Sequence, residues 1–305
     1  MTSENFPWRP PLSSNWGERL KIFEAALIEG RDLDFHAVRS LAGQRLTTRE
    51  QLRLERFANK LLKSDIPSPT FAPVSIALLG NRTLSYLPAP LAAAGLARGL
   101  AISSVEAPYD SVASYAYSPS DCFGKPLDAV LVVLDETAFA NKRPILDRAA
   151  EEEAVAAAED LFSALASATL EKSQCRPIFA TLPAAQQVSS AELATPGTSA
   201  RFRHLVNLKL AEGAMLGKWL IWDQAALASR VGLENWLDPI RYHAAKIPFR
   251  IGMCPLASDS IAAVLAAMKG RSARALVLDL DNTLWGGVIG DDGLAGIRLG
   301  QNSPE

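Results

Sequence analysis

A chain of 305 residues, 49% apolar and 21% charged, is long enough to bury one large core or two ordinary ones. Its 31 Lys+Arg nearly balance 33 Asp+Glu, which excludes the strong field that would hold nucleic acid or an anionic membrane as a partner. Cys122, Cys175 and Cys254 stand far apart without a CxxC pair, the start is polar and proline-rich, and no unbroken apolar run approaches 18 residues, so a disulfide framework, a cysteine zinc site, secretion and a membrane span are not expected, and the profile is that of a soluble cytoplasmic protein.

In chain order, Leu20, Phe23, Ala26 and Leu27 recur at helical spacing over 16–29, and Gly30 supplies a stop. A second helix is expected from Thr47, where Thr47 and Glu50 form a capping-box pattern ahead of Leu52, Leu54, Phe57, Leu61 and Leu62, and Pro67 and Pro69 end it. Arg49, Arg53 and Arg56 along that helix could be read as a helix-turn-helix reader of DNA, but in a charge-balanced chain a solvated face on a packing helix suffices to account for them.

From Val74 the texture changes to short β-rich runs alternating with alanine-rich stretches, the pattern of a parallel sheet wrapped by helices. Strands are expected over 74–79, 100–105, 129–134, 177–181 and 219–222, with helices over 86–98, 145–170 and 201–216 between them. Five strands in this rhythm predict a doubly wound, flavodoxin-like α/β sheet, whose ligands sit at the carboxyl ends of the strands, in the loops after Leu79, Leu134, Thr181 and Trp222. Residues 223–249 read as helix, turn and helix, and 261–268 as a further short helix. The expected division is a helical segment over 1–70, an α/β domain over 71–269 and the start of another domain over 270–305.

The most informative stretch begins at Leu276: an apolar strand, 275–278, runs into Asp279, and Asp281 follows two residues later in a glycine-containing loop. Residues two apart on a strand share a face, so the two carboxylates can converge where the strand opens, a geometry suited to phosphoryl chemistry. Two aspartates at a strand end can equally be a turn or a helix cap.

The DxDxT pattern resembles motif one of the haloacid-dehalogenase (HAD) superfamily, and the longer string DLDNTLWGGVIGDDG is similar to that of the FkbH-like phosphatase/transferase family. The resemblance implies that Asp279 is the nucleophile of a phosphoaspartyl intermediate and Asp281 the general acid and base. It also implies that Asn282 and Thr283 position the loop, and that Mg2+ is held by the Asp279 carboxylate and the Asp281 carbonyl. Such enzymes also need a phosphate-holding Ser/Thr, a Lys and further acidic metal ligands, whereas only 22 residues follow Thr283. The carboxyl-terminal domain is therefore read as truncated, inactive alone, and either packed on the preceding domain or mobile.

Over 71–250 the chain resembles the SGNH-hydrolase-like domain of the same family through IALLGNRTLSYL, the PYDS segment 108–111, Trp222-Asp223 and DPIRYHAAKIPF. SGNH hydrolases carry a nucleophile in Gly-Asp-Ser after the first strand and a base in Asp-x-x-His near the end. Here the corresponding pocket residues read Gly80-Asn81-Arg82, with Thr83 and Ser85 nearby, and Asp238 stands five residues from His243. Five helical residues turn a side chain by about 500°, so those two do not share a face well. His243 admits a structural reading, and Asp238 that of a turn residue before Pro239. The resemblance implies, for the whole protein, loading of a phosphorylated three-carbon acid onto an acyl carrier protein in secondary metabolism. The alternatives are a carrier-binding module without catalysis and an independent esterase.

Overall fold

The apolar runs of the middle segment pair as expected. In a computed structural model, which describes residues 9–64, 70–109, 111–118, 123, 126–139, 145, 147–184, 189, 191–272 and 275–300, five parallel strands form one sheet in the order β2-β1-β3-β4-β5. Cys122, Asp110 of the PYDS segment, Pro67 and Pro69 lie outside the described residues.

Three helices come first: α1 (Trp16–Ile28), α2 (Phe35–Ala42) and α3 (Thr48–Leu61). The capping box at α3 is formed, the Thr47 amide donating to Glu50 Oε2 at 3.0 Å. Helix α2 starts at Asp34, whose carboxylate accepts from the Ala37 amide at 2.9 Å. The sheet then builds through β1 (Ala72–Gly80), α4 (Pro88–Ala97), β2 (Leu100–Glu106), α5 (Val112–Tyr117), β3 (Ala129–Val133), α6 (Arg148–Ser173), β4 (Pro177–Ala180), α7 (Ser199–Met215) and β5 (Leu220–Trp222). Three helices follow, α8 (Gln224–Val231), α9 (Leu233–Trp236) and α10 (Pro239–Ala245), then α11 (Cys254–Met268) and a short helical stretch α12 (Ile289–Gly296) broken at Gly293.

Alternation along β1 sorts the core. Val74, Ile76 and Leu78 point to one face, where α4 and α11 bury Leu91, Ile261 and Leu265 beside Trp222 and Trp236. Ala77 and Leu79 point to the other, against Phe162 of α6, Val206 of α7, Phe179 and Trp219. Both faces are covered, which is why β1 and β3 read as continuous apolar runs. Helix α4 is apolar all round because its outer side, Ala92, Ala93 and Leu96, packs on the amino-terminal helices. Helix α11 begins at Cys254, seven residues before the expected 261, since Pro255 fits a first helical turn that needs no amide donor. The window Ile251–Met268 is long and apolar enough to cross a membrane by length and composition, but half of it is buried in the sheet core.

The chain divides into two compact units, Met1–Gly270 and Arg271–Glu305. The expected strand over 275–278 is not formed: residues 275–280 are neither helix nor strand, and Leu276 and Val277 are 80% and 93% exposed. A parallel strand is held by partners on its edges. In this unit the described residues supply only the isolated bridges Asp281 with Trp285 and Gly286 with Arg298.

Candidate functional site

The order β2-β1-β3-β4 means that the connections leaving the adjacent strands β1 and β3 run in opposite directions, so the crevice beyond β1 and β3 is the switch point where doubly wound sheets take ligands. Gly80 closes β1 against β3 so tightly that a Cβ there would lie 2.3 Å from the Val133 carbonyl oxygen. The chain then turns, presenting Asn81 and Arg82 to the loop after β3.

Those two loops are stitched together. Asn81 Nδ2 donates to Asp135 Oδ1 at 2.7 Å and to Thr137 Oγ1 at 3.0 Å, while the Asp135 amide donates back to Asn81 Oδ1 at 3.1 Å. Thr137 Oγ1 in turn donates to Asp135 Oδ1 at 2.6 Å. Arg82, the third residue of the Gly80-Asn81-Arg82 string, is 4% exposed and forms an ion pair with Asp135. Its guanidinium donates to Tyr242 Oη at 2.7 Å and lies 4.3 Å from the Tyr242 ring. Tyr242 Oη donates to Asp135 Oδ2 at 2.7 Å, closing the loop of contacts. Asp135 thus accepts from a guanidinium, a phenol, an amide and a hydroxyl, which saturates a half-buried carboxylate.

Beside this network Glu136 pairs with Arg203 at 3.0 Å and accepts from the Ser199 hydroxyl. Burial alone would raise the Glu136 carboxyl, but the hydrogen bonds from Arg203 and Ser199 and the charges of Arg203 and Arg82 outweigh it and hold it below its ordinary value.

The hydroxyls and imidazole expected of an esterase are placed elsewhere. Thr83 Oγ1 donates to the Ala245 carbonyl at 2.6 Å, and Ser85 is exposed. Asp238 caps α10, accepting from the Arg241 amide at 3.2 Å and pairing with Arg241 Nε at 3.5 Å. His243 lies exposed in the last turn of the same helix, its ring 5.2 Å from that of Tyr242, with no hydrogen bond among the described residues. Among the described residues, Thr83, Asp238 and His243 do not hydrogen-bond to one another. His36 and His204 are likewise exposed. Asp135 and Tyr242, which carry the network, were flagged in the sequence only indirectly, as the residue after Leu134 and the neighbour of His243.

In the second unit, Asp281 Oδ1 accepts from Trp285 Nε1 and from the Ile289 amide, both at 3.1 Å, and Asp279 Oδ1 accepts from the Leu280 amide at 3.0 Å. Asn282 takes a left-handed φ of 56° and accepts from the Gly287 amide at 3.0 Å, shaping the turn that carries exposed Thr283. These carboxylates are hard oxygen donors of the kind magnesium takes. Among the described residues, no three His, Cys, Asp or Glu side chains gather where a metal ion could be held.

No protein-family description and no curated protein matches the chain. Among solved structures, the N-terminal part of the protein BF1531 from Bacteroides fragilis, described as containing a phosphatase domain complexed with Mg, is similar at TM-score 0.68 and 22% identity over 85% of this chain. The match spans 66% of that chain, and at this identity it shows a shared fold. A lipase/acylhydrolase from Enterococcus faecalis matches at TM-score 0.44 and 15% identity, over 67% of this chain and 100% of its own. A putative SGNH hydrolase from Slackia heliotrinireducens matches at 0.40 and 14%, over 64% and 100%. Likenesses as loose as these two carry no functional argument.

Proposed function

We propose that the α/β unit is an SGNH-like binding module without hydrolytic chemistry, carried ahead of a phosphatase or phosphotransferase domain of the FkbH-like kind. One observation carries this reading: Arg82, the third residue of the string we align with Gly-Asp-Ser, is locked to Asp135 and Tyr242, so the switch-point crevice is filled by an ion pair. An ion pair held on several sides does not attack an acyl carbon, but it gives a rigid polar floor for docking.

In this reading the partner is an acyl carrier protein, and the whole protein transfers a phosphorylated three-carbon acyl group to it with loss of phosphate. Asp279 and Asp281 belong to the magnesium-dependent half of that chemistry, Asp279 as nucleophile and Asp281 as proton carrier. The support for this half is the DLDNTLWGGVIGDDG string and the fold shared with a phosphatase-containing protein.

Two measurements test the proposal. Incubation with a fluorophosphonate serine-hydrolase probe is expected to leave the chain unlabelled, and labelling that disappears in Thr83→Ala would establish an esterase instead. Calorimetric titration with a phosphopantetheinylated acyl carrier protein is expected to give saturable binding. A flat titration would remove the docking role.

A further inference from the structure

A cavity of about 1090 Å³ opens on the other side of α4 from the sheet, between the amino-terminal helices and the segment 250–255. Its volume is slightly above the range of about 300–1,000 Å³ usual for small-molecule sites. Four guanidiniums line it, those of Arg9, Arg45, Arg241 and Arg250, against the single carboxylate of Asp238. Arg9 is neutralised by Asp259 at 2.5 Å, and Arg241 pairs loosely with Asp238. Arg45 is half-buried. Its Nε donates to the Arg9 carbonyl at 2.8 Å, and it has no carboxylate partner among the described residues.

A second observation is independent of charge. Gln51 is 6% exposed and lines the cavity, yet its amide makes no hydrogen bond among the described residues. Gln44, equally buried, uses its carbonyl oxygen to accept from Ser13 and lines the same cavity. An amide that lines a cavity and has no partner in the fold is open to a ligand that supplies one. Residues near the starts of α3, α4 and α11 also line the cavity. The rest of the wall is apolar, with Leu12, Leu46, Leu52 and Ile251.

We propose that this cavity binds an organic phosphate, a monoester with an apolar body, its phosphate facing Arg45 and Arg241 and its body lying along the leucine side. Planar guanidiniums match phosphate oxygens two at a time, and an anion is what Arg45, without a carboxylate partner among the described residues, and Arg241, held only loosely by Asp238 at 3.5 Å, select. The reading goes beyond the crevice at β1 and β3 and does not depend on it.

Calorimetry on the purified chain in a phosphate-free buffer, with hexyl phosphate, inorganic phosphate and hexanol as probes, tests this. Hexyl phosphate is expected to bind saturably at one site, inorganic phosphate at least tenfold more weakly, and hexanol not at all. Arg45→Gln and Arg241→Gln are each expected to weaken hexyl phosphate about tenfold, the size of one lost charge-assisted hydrogen bond. Gln51→Leu is expected to weaken it as well while leaving the melting temperature unchanged or higher. Arg241 is half-exposed, so its variant keeps the test valid if Arg45→Gln does not fold. Absence of saturable hexyl phosphate binding, equal binding of hexanol, or unchanged affinity in the Arg45→Gln/Arg241→Gln pair would overturn the proposal.

Discussion

At the scale of single residues, Arg82 decides the character of the crevice. Its side chain is 2% exposed and that of Asp135 18%, so removing one charge leaves the other in a dry setting. Arg82→Met is expected to cost about 3–5 kcal/mol, read as a lower urea midpoint, because an uncompensated carboxylate remains. Arg82→Ser is expected to stay unlabelled by fluorophosphonate, since no imidazole stands within reach. Glu136 sets a pH dependence: its folded value is depressed, so its contribution is present above the unfolded value of about 4.3 and is lost as pH falls through the folded one. Acid unfolding followed by circular dichroism is expected to be less steep below about pH 4.3 in Glu136→Gln. Burial pushes the Cys254 thiol up to about 12 and that of Cys175 to about 11, so neither should be alkylated at neutral pH until the chain is unfolded, a difference mass spectrometry reads directly. The sequence displayed Gly80-Asn81-Arg82 as a departure from Gly-Asp-Ser, but it could not show what Arg82 pairs with. Asp135 lies 54 residues from Asn81 and Tyr242 lies 160 from Arg82, and pairings at such distances are made by topology rather than by local pattern.

Elements were legible wherever a local signal was strong. The capping box of α3, the apolar runs of β1 and β3, and the turn before α10 all act through neighbours in sequence. Asp238 is one such local signal: as the cap of α10 its replacement by Ala is expected to cost about 1 kcal/mol, with faster hydrogen exchange confined to 239–245. A different limit governs α7, where Gly213 lets β5 approach; a Cβ there would lie 1.8 Å from the Trp219 ring. Gly213→Ala is expected to lower the melting temperature through about 1–3 kcal/mol of overpacking. The segment 275–280 shows where local reading ends. Its residues have strand composition, yet strand geometry depends on pairing partners that composition does not supply.

For the molecule as a whole, the alternation of strands and helices was enough to anticipate the doubly wound sheet, since right-handed crossovers restrict how such units can stack. The attachment of the amino-terminal helices was not legible, because it rests on α4 being apolar on both sides. That shared helix couples the two layers. Leu41→Ala, at a site with no exposure, is expected to cost about 2–5 kcal/mol and to lower the unfolding midpoint reported by Trp219, Trp222 and Trp236 in the sheet layer. The strand order has a further consequence for synthesis on the ribosome. β1 and β2 emerge first and pair with each other; β3 then joins the free side of β1, β4 joins β3, and β5 joins β4. Each newly translated strand therefore meets a vacant border, and none has to wedge between two already zipped together. Pulse-labelled nascent chains should accordingly gain amide protection from β1 outward to β5, with the last, three-residue strand sealing the sheet.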